Sequence, residues 1–435
     1  MNIVMQLGRL KLITAGIYLC CLVNFMCLAF FKSNTTPLIL MATAGIVVLF
    51  MKRPRINFPS GLFFIFMAYL IGTDIFIFPE TSGFVIYRRM LYAFFAGVAV
   101  YQVYRTATAT FILQYNFCFV IMLLFYLIFC LLTDDFSSIF MHKRLKLNFS
   151  HPNGLALSCA TVVIGSAACL LFKPPLLVGT NLYRPLGWFD KIISSRAFLI
   201  MSALAGGLVL YFTLSRTSFY SCLIVVSVMI TARLYQRLGR RTTFIVCAVL
   251  IASVGLAFSF PGVFGNSRMV LTEPWNAKTF ISRIPLWESG MDAFCQHPIL
   301  GNGPQSFERT HEQFVRENYS RLVDQYGARI VKRDTQRAPN AHNQYIMFLA
   351  ENGLIGWLLF MTFTFLPIFS GIIHKSLYGL TIPVYVFFLV IYFFEAPLFG
   401  SQSAAFSITV IFMLFGYYTA GQQAGKSSDY TSRFS

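Results

Sequence analysis

His342 and Asn343 stand side by side where a long apolar run begins, in PNAHNQYIMFLAENGLIG from Pro339 to Gly356. Arg216 lies in LSRTS, a tight turn between two apolar blocks. Arg283 lies in ISRIPLW, and Glu395 in FFEAP at the end of a further block. Together these residue types describe a chemistry. Two guanidinium forks match phosphate oxygens and can hold a diphosphate, and a histidine can take a proton at neutral pH. An ionisable group near membrane depth is costly, which makes each a functional candidate. Each also has a plainer reading. Arg216 can snorkel to lipid headgroups, and Arg283 can pair with Glu288 on a helix surface. His342 can be a helix-end hydrogen-bonding residue, and Glu395 an interfacial carboxylate or an arginine's counter-ion. Asp134 and Asp135 in LTDDF, with His142 and His151, read as solvated loop, so no metal site is expected.

The elements that must position these residues follow from composition. The chain has 435 residues, 57% hydrophobic and 11% charged, against roughly a quarter charged in a soluble domain. The apolar residues fall in blocks from one end to the other, and about 20 apolar residues cross a bilayer core as a helix. The expected fold is an all-α integral membrane protein. Twelve spans are read, at approximately 11–31, 37–51, 60–78, 90–104, 109–133, 154–172, 197–214, 217–232, 242–260, 343–369, 378–396 and 403–420. The first apolar block is long and closes without a small-residue cleavage site, so it reads as a span and not a cleaved signal peptide. Most cysteines, Cys118 and Cys130 among them, sit inside apolar blocks and are expected to behave as small hydrophobes.

Lys and Arg in short loops set the orientation. Arg233, Arg237, Arg240 and Arg241 lie between spans eight and nine, and Lys52, Arg53 and Arg55 between spans two and three. Both sets fall on one side, with the tail carrying Lys426 and Arg433, and that side reads as cytoplasmic. Residues 1–260 then carry spans one to nine, 261–341 form an outer loop domain, 342–420 carry spans ten to twelve, and 421–435 are a cytoplasmic tail. A net charge of +18 does not imply nucleic acid, because no nucleic-acid motif accompanies it. The loop is too long for a passive connection. In IPLWESGMDAFCQH the residues Leu286, Trp287, Met291 and Phe294 recur at helical spacing. A stop at HPILGNGP follows. A second helix is expected from near Pro304, with Phe307, Phe314 and Leu322 on one side.

The segment HNQYIMFLAENGLIG resembles the pattern of bacterial O-antigen ligases: His, then Asn, nine residues, then Gly-x-x-Gly at Gly353 and Gly356. SRIPLWESGMDAFCQHPILGNGPQSF, LSRTSFYSCLIV and the HPNGLA segment at His151–Ala156 resemble segments of the wider superfamily of ligases and Wzy-type polymerases. The likeness covers about residues 150 to 400. It implies a metal-independent glycosyltransferase of the membrane C type, without cofactor. The donor would be a glycan on undecaprenyl pyrophosphate and the acceptor a sugar of the lipid A core, at the periplasmic face of the bacterial inner membrane. By matching position, His342 takes the base role and Arg216 and Arg283 the diphosphate-binding roles, with Asn343 and Glu395 as supports. A polymerase shares the donor and the motifs and differs in its acceptor. A protein oligosaccharyltransferase of the same superfamily is a third reading. A twelve-span transporter is a rival of another class, set against the lack of an obvious internal repeat.

Overall fold

The structure is a computed structural model. It describes residues 35–52, 58–80, 84–104, 108–134, 137–141, 144–147, 152–172, 191–259, 281–328, 340–373 and 381–393, together with Val23, Val331 and Ala338. Glu395, Asp135, His142, His151, most of the first expected span, the last one and the tail lie outside the described residues.

The described chain is helical apart from one two-stranded ribbon. The helices are α1 (Thr35–Lys52), α2 (Phe58–Phe76), α3 (Phe84–Tyr104), α4 (Thr108–Thr133), α5 (Pro152–Phe172), α6 (Arg196–Phe212), α7 (Arg216–Ser259), α8 (Ile284–Gln296), α9 (Phe307–Glu317), α10 (Tyr319–Tyr326), α11 (Gln344–Ile373) and α12 (Thr381–Tyr392). Strands β1 (Phe140–Met141) and β2 (Arg144–Leu145) pair antiparallel between α4 and α5. Among the described residues, four segments are long and apolar enough to cross a membrane: Leu113–Thr133, Pro152–Phe172, Arg216–Gly239 and Gln344–Phe365.

Burial separates the helices by role. On α4, Leu124, Phe125, Leu127, Ile128, Phe129, Leu131 and Leu132 are exposed, the face a lipid-bathed helix presents. On α5 most positions are buried and none is exposed, as befits a helix apolar all round at the centre of a bundle. Its Gly, Ala, Ser and Cys residues let neighbours come close. A Cβ added to Gly206 of α6 would lie 3.2 Å from the Cys159 carbonyl oxygen. Cys118, Cys130, Cys159, Cys169 and Cys222 are buried free thiols.

Three expectations are corrected. The connection between the eighth and ninth spans is shorter than expected: α7 is two helices that meet at Gly239, where φ 77° and ψ 175° are not helical. The stretch from Arg233 to Arg241 is therefore helical on either side of Gly239 where an open loop was expected. The second loop helix does not start near Pro304. It starts at Phe307 and is interrupted at Asn318, giving α9 and α10. Phe307 packs with Leu286, Ala293 and Met347, whereas Phe314 and Leu322 pack with Val315 and Val331, so they serve two clusters. Finally, Met291 on α8 is 42% exposed. The buried face is Leu286, Ser289, Gly290 and Ala293. α8 lies too close to α11 for larger side chains: a Cβ on Gly290 would stand 2.5 Å from Ile346.

Candidate functional site

The break in α11 organises the site. Gly353 has φ 61° and ψ −168°, which no helix tolerates. The backbone groups freed there are met by the HPILGNGP turn that follows α8. Leu354 N donates to Pro298 O at 2.8 Å and Ile355 N to Ile299 O at 3.3 Å. Asn302 N donates to Ala350 O at 3.1 Å and Gly303 N to Glu351 O at 2.9 Å. The Asn302 amide adds Nδ2 bonds to Ala293 O at 2.8 Å and Ala350 O at 3.1 Å. From α2, the Tyr69 hydroxyl donates to Asn352 O at 2.7 Å. Buried backbone polar groups require partners, and here a loop some fifty residues upstream in sequence supplies them. Gly353 and Gly356, the two glycines of the Gly-x-x-Gly pattern, serve two different contacts. Gly353 admits this turn, since a Cβ there would lie 2.5 Å from Gly301 N, and Gly356 lies against the Tyr69 ring.

Aromatic rings keep both halves of α11 in place across the break. Phe348 stacks on Phe360 at 4.5 Å. Phe66 of α2 meets Phe348 at 5.8 Å and Phe363 at 5.7 Å. Before the break, Gln344 to Gly353 is buried at all but Ile346 and Leu349; after it, Leu354, Ile355 and Leu358 are exposed. The lipid-type surface of α11 therefore begins beyond Gly353.

His342 is half-buried and has φ 47°, a left-handed backbone that is uncommon outside glycine. Such a conformation persists only where neighbours over-determine it, and three fastenings surround it. Asn340 Oδ1 accepts from His342 N at 3.0 Å. Asn343 Oδ1 accepts from Tyr345 N at 3.0 Å and Ile346 N at 3.1 Å, so Asn343 is the N-cap of α11. The Trp287 indole Nε1 donates to Ala341 O at 3.1 Å.

The last bond ties the helix that begins at Arg283 to the residue before His342. Arg283 is the N-cap residue of α8, and its carbonyl accepts from Trp287 N at 3.0 Å. One turn of helix thus separates Arg283 from the indole that holds the residue before His342. Glu288, weighed as a partner of Arg283, meets Arg321 at 3.1 Å and accepts from the Tyr326 hydroxyl. Burial, then Glu288, push that phenol up to about 12, with Arg321 pulling the other way.

Arg216 opens α7 after a turn of buried hydroxyls. Thr213 Oγ1 donates to Leu210 O at 2.7 Å, Ser215 N donates to Thr213 Oγ1 at 3.4 Å, and Leu214 takes φ 51°. α12 packs against α7, α5 and α11. Its Leu389 carbonyl accepts from the Tyr345 hydroxyl at 3.1 Å, three residues beyond His342. α12 is thus the element shared by the helix of Arg216 and the helix of His342. Among the described residues no three His, Cys, Asp or Glu side chains gather.

Sequence reasoning passed over Glu351, Asn302, Tyr69 and His311. A signal existed for Glu351, a lone carboxylate inside an apolar run. The partners of the others lie too far along the chain for any pattern to reveal.

The fold is that of a helical membrane protein with a loop domain docked into a broken span. Residues 197–361 match the family model of O-antigen ligases, a match that supports membership of the O-antigen ligase superfamily. The match includes Arg216, Arg283, His342 and the break at Gly353. No curated protein matches the chain.

Proposed function

We propose that the protein is an O-antigen ligase of the bacterial inner membrane, with about twelve spans, a C-type glycosyltransferase architecture and its site at the periplasmic face. It moves a glycan from undecaprenyl pyrophosphate to the lipid A core, without a metal and with inversion. The observation that carries this reading is the fastening of Trp287 to Ala341. It joins the helix that begins at Arg283 to the residue before His342, and both lie within the residues matched by the family model, which supports this reading.

In this reading His342 removes the proton from an acceptor hydroxyl. The oxygen attacks the anomeric carbon as the bond from that carbon to the diphosphate oxygen breaks. Arg216 and Arg283 meet the charge that develops on the leaving diphosphate. The imidazolium then gives its proton to water. Asn343 acts through His342 by capping the helix behind it, and Glu395 remains a candidate support.

A Wzy-type polymerase would use the same donor and the same groups with a second lipid-linked glycan as acceptor. Purified protein given the lipid-linked donor with core lipid, or with a second lipid-linked glycan, separates the readings. Ligation to core lipid is expected. Product only with the lipid-linked acceptor would make it a polymerase, transfer only to an added protein acceptor would make it an oligosaccharyltransferase, and no transfer to any acceptor would overturn the enzymatic reading.

A further inference from the structure

One buried carboxylate plays no part in the transfer chemistry. Glu351 is 1% exposed and stands two residues before the break in α11. Its Oε1 accepts from Phe307 N at 3.4 Å, and the Gln305 backbone N–H lies close enough to favour its charged form. Those amides lie at the start of α9. A helix start leaves several N–H groups in need of acceptors, and α9 does not meet this need from its own sequence. Its N-cap residue, Ser306, makes no side-chain cap. The Ser306 hydroxyl instead donates to Gly303 O at 2.6 Å. Gln305, just before it, is held at φ 59°.

We propose that Glu351 is a positioning residue: a remote N-cap on α9, through which the broken span sets the place of the loop helices that carry Arg283. This rests on the function proposed above. The connection onward from α9 is continuous. His311 of α9 is fully buried, stacks on Phe307, and has Nδ1 2.8 Å from Ser289 Oγ of α8. The Ser289 hydroxyl also lies 2.9 Å from Leu286 O. α8 begins at Arg283 and holds Ala341 through Trp287. Glu351 thus closes a ring that runs from the break through α9 and α8 back to the residue before His342. Losing the acceptor frees the start of α9, then the seating of α8, then the alignment of Arg283 with His342.

The test compares Glu351→Ala with Glu351→Gln in the full-length protein. Glutamine keeps an oxygen acceptor at the same reach; alanine keeps none. Hydrogen exchange of the 305–310 amides is read on the protein without donor or acceptor, and transfer is read separately. Alanine should speed exchange there at least tenfold and cut turnover at least tenfold, while glutamine restores both to within about threefold. Unchanged exchange in the alanine variant overturns the cap. Faster exchange with full turnover overturns the positioning role, and glutamine behaving as badly as alanine overturns the assignment to an oxygen acceptor. Exchange decides the cap even if the wild type transfers nothing, in which case the proposed function fails on its own.

Discussion

Gly353→Ala should undock the loop domain from the broken span. Alanine at φ 61° and ψ −168° enters a region that is essentially glycine's alone, at a cost of about 1–3 kcal/mol. Its Cβ would also stand 2.5 Å from Gly301 N, so the turn must retreat by several tenths of an ångström or more. Four backbone bonds cross this contact, at 2.8 to 3.3 Å, and a shift of that size breaks or weakens all of them. At roughly 0.5–1.5 kcal/mol net for each bond, the loss is about 2–6 kcal/mol, and the backbone cost brings it to about 3–9 kcal/mol. Global stabilities are of the order of 5–15 kcal/mol, so the dock should open while the bundle stays folded. Exchange of the Asn302, Gly303, Leu354 and Ile355 amides reports it, and 3 kcal/mol corresponds to about a hundredfold faster exchange. Gly207→Ala is the control, because a Cβ there meets nothing within 4 Å. Equal protection in Gly353→Ala and wild type would refute the claim that glycine at this position is what admits the turn.

Further outcomes follow from the same geometry. Arg216→Ala and Arg283→Ala should each lose most transfer activity with little loss of folded protein. Lysine should rescue only partly, since it cannot fork across two oxygens; full activity in either alanine variant removes that arginine from the site. Tyr326→Phe should cost the loop domain about 1 kcal/mol at neutral pH, measured by thermal unfolding. The phenol is raised to about 12 in the folded protein against about 10 unfolded. Its contribution is therefore complete below pH 10 and lost as pH rises through 12, and a penalty that grows with pH would contradict this. Cys295, exposed on α8, should react with an impermeant thiol reagent in intact spheroplasts and lose that signal in Cys295→Ser. Labelling only after lysis would place the loop domain on the cytoplasmic side.

Spans were legible because bilayer crossing demands long apolar blocks. The expected 109–133 and 154–172 lie within two residues of α4 at Thr108–Thr133 and α5 at Pro152–Phe172. The break in LAENGLIG was not legible. Locally it reads as an uninterrupted apolar helix, and the partners that stabilise Gly353 at positive φ are Pro298 to Gly303, far upstream. Periodicity found α8 but misjudged its face. Hydrophobicity favoured Met291, whereas close packing on Ile346 selected Gly290 and Ala293. His342 could be singled out from a titratable residue at an apolar boundary. Its left-handed backbone and its tie to Trp287 depend on residue pairs that only the folded chain brings together. Asn343, singled out beside it as a support, has a concrete role as the cap of α11.

The most direct measurement is transfer by purified wild type, His342→Ala and His342→Gln at matched amounts, with lipid-linked glycan and core lipid. Removing a general base commonly costs about 10²- to 10⁴-fold in rate. Both variants should show a loss of that size and still bind the donor through the arginines, because glutamine can hydrogen-bond but cannot accept a proton at neutral pH. Near-normal turnover by His342→Gln would contradict the account: the residue would then orient substrate, and another group would be the base.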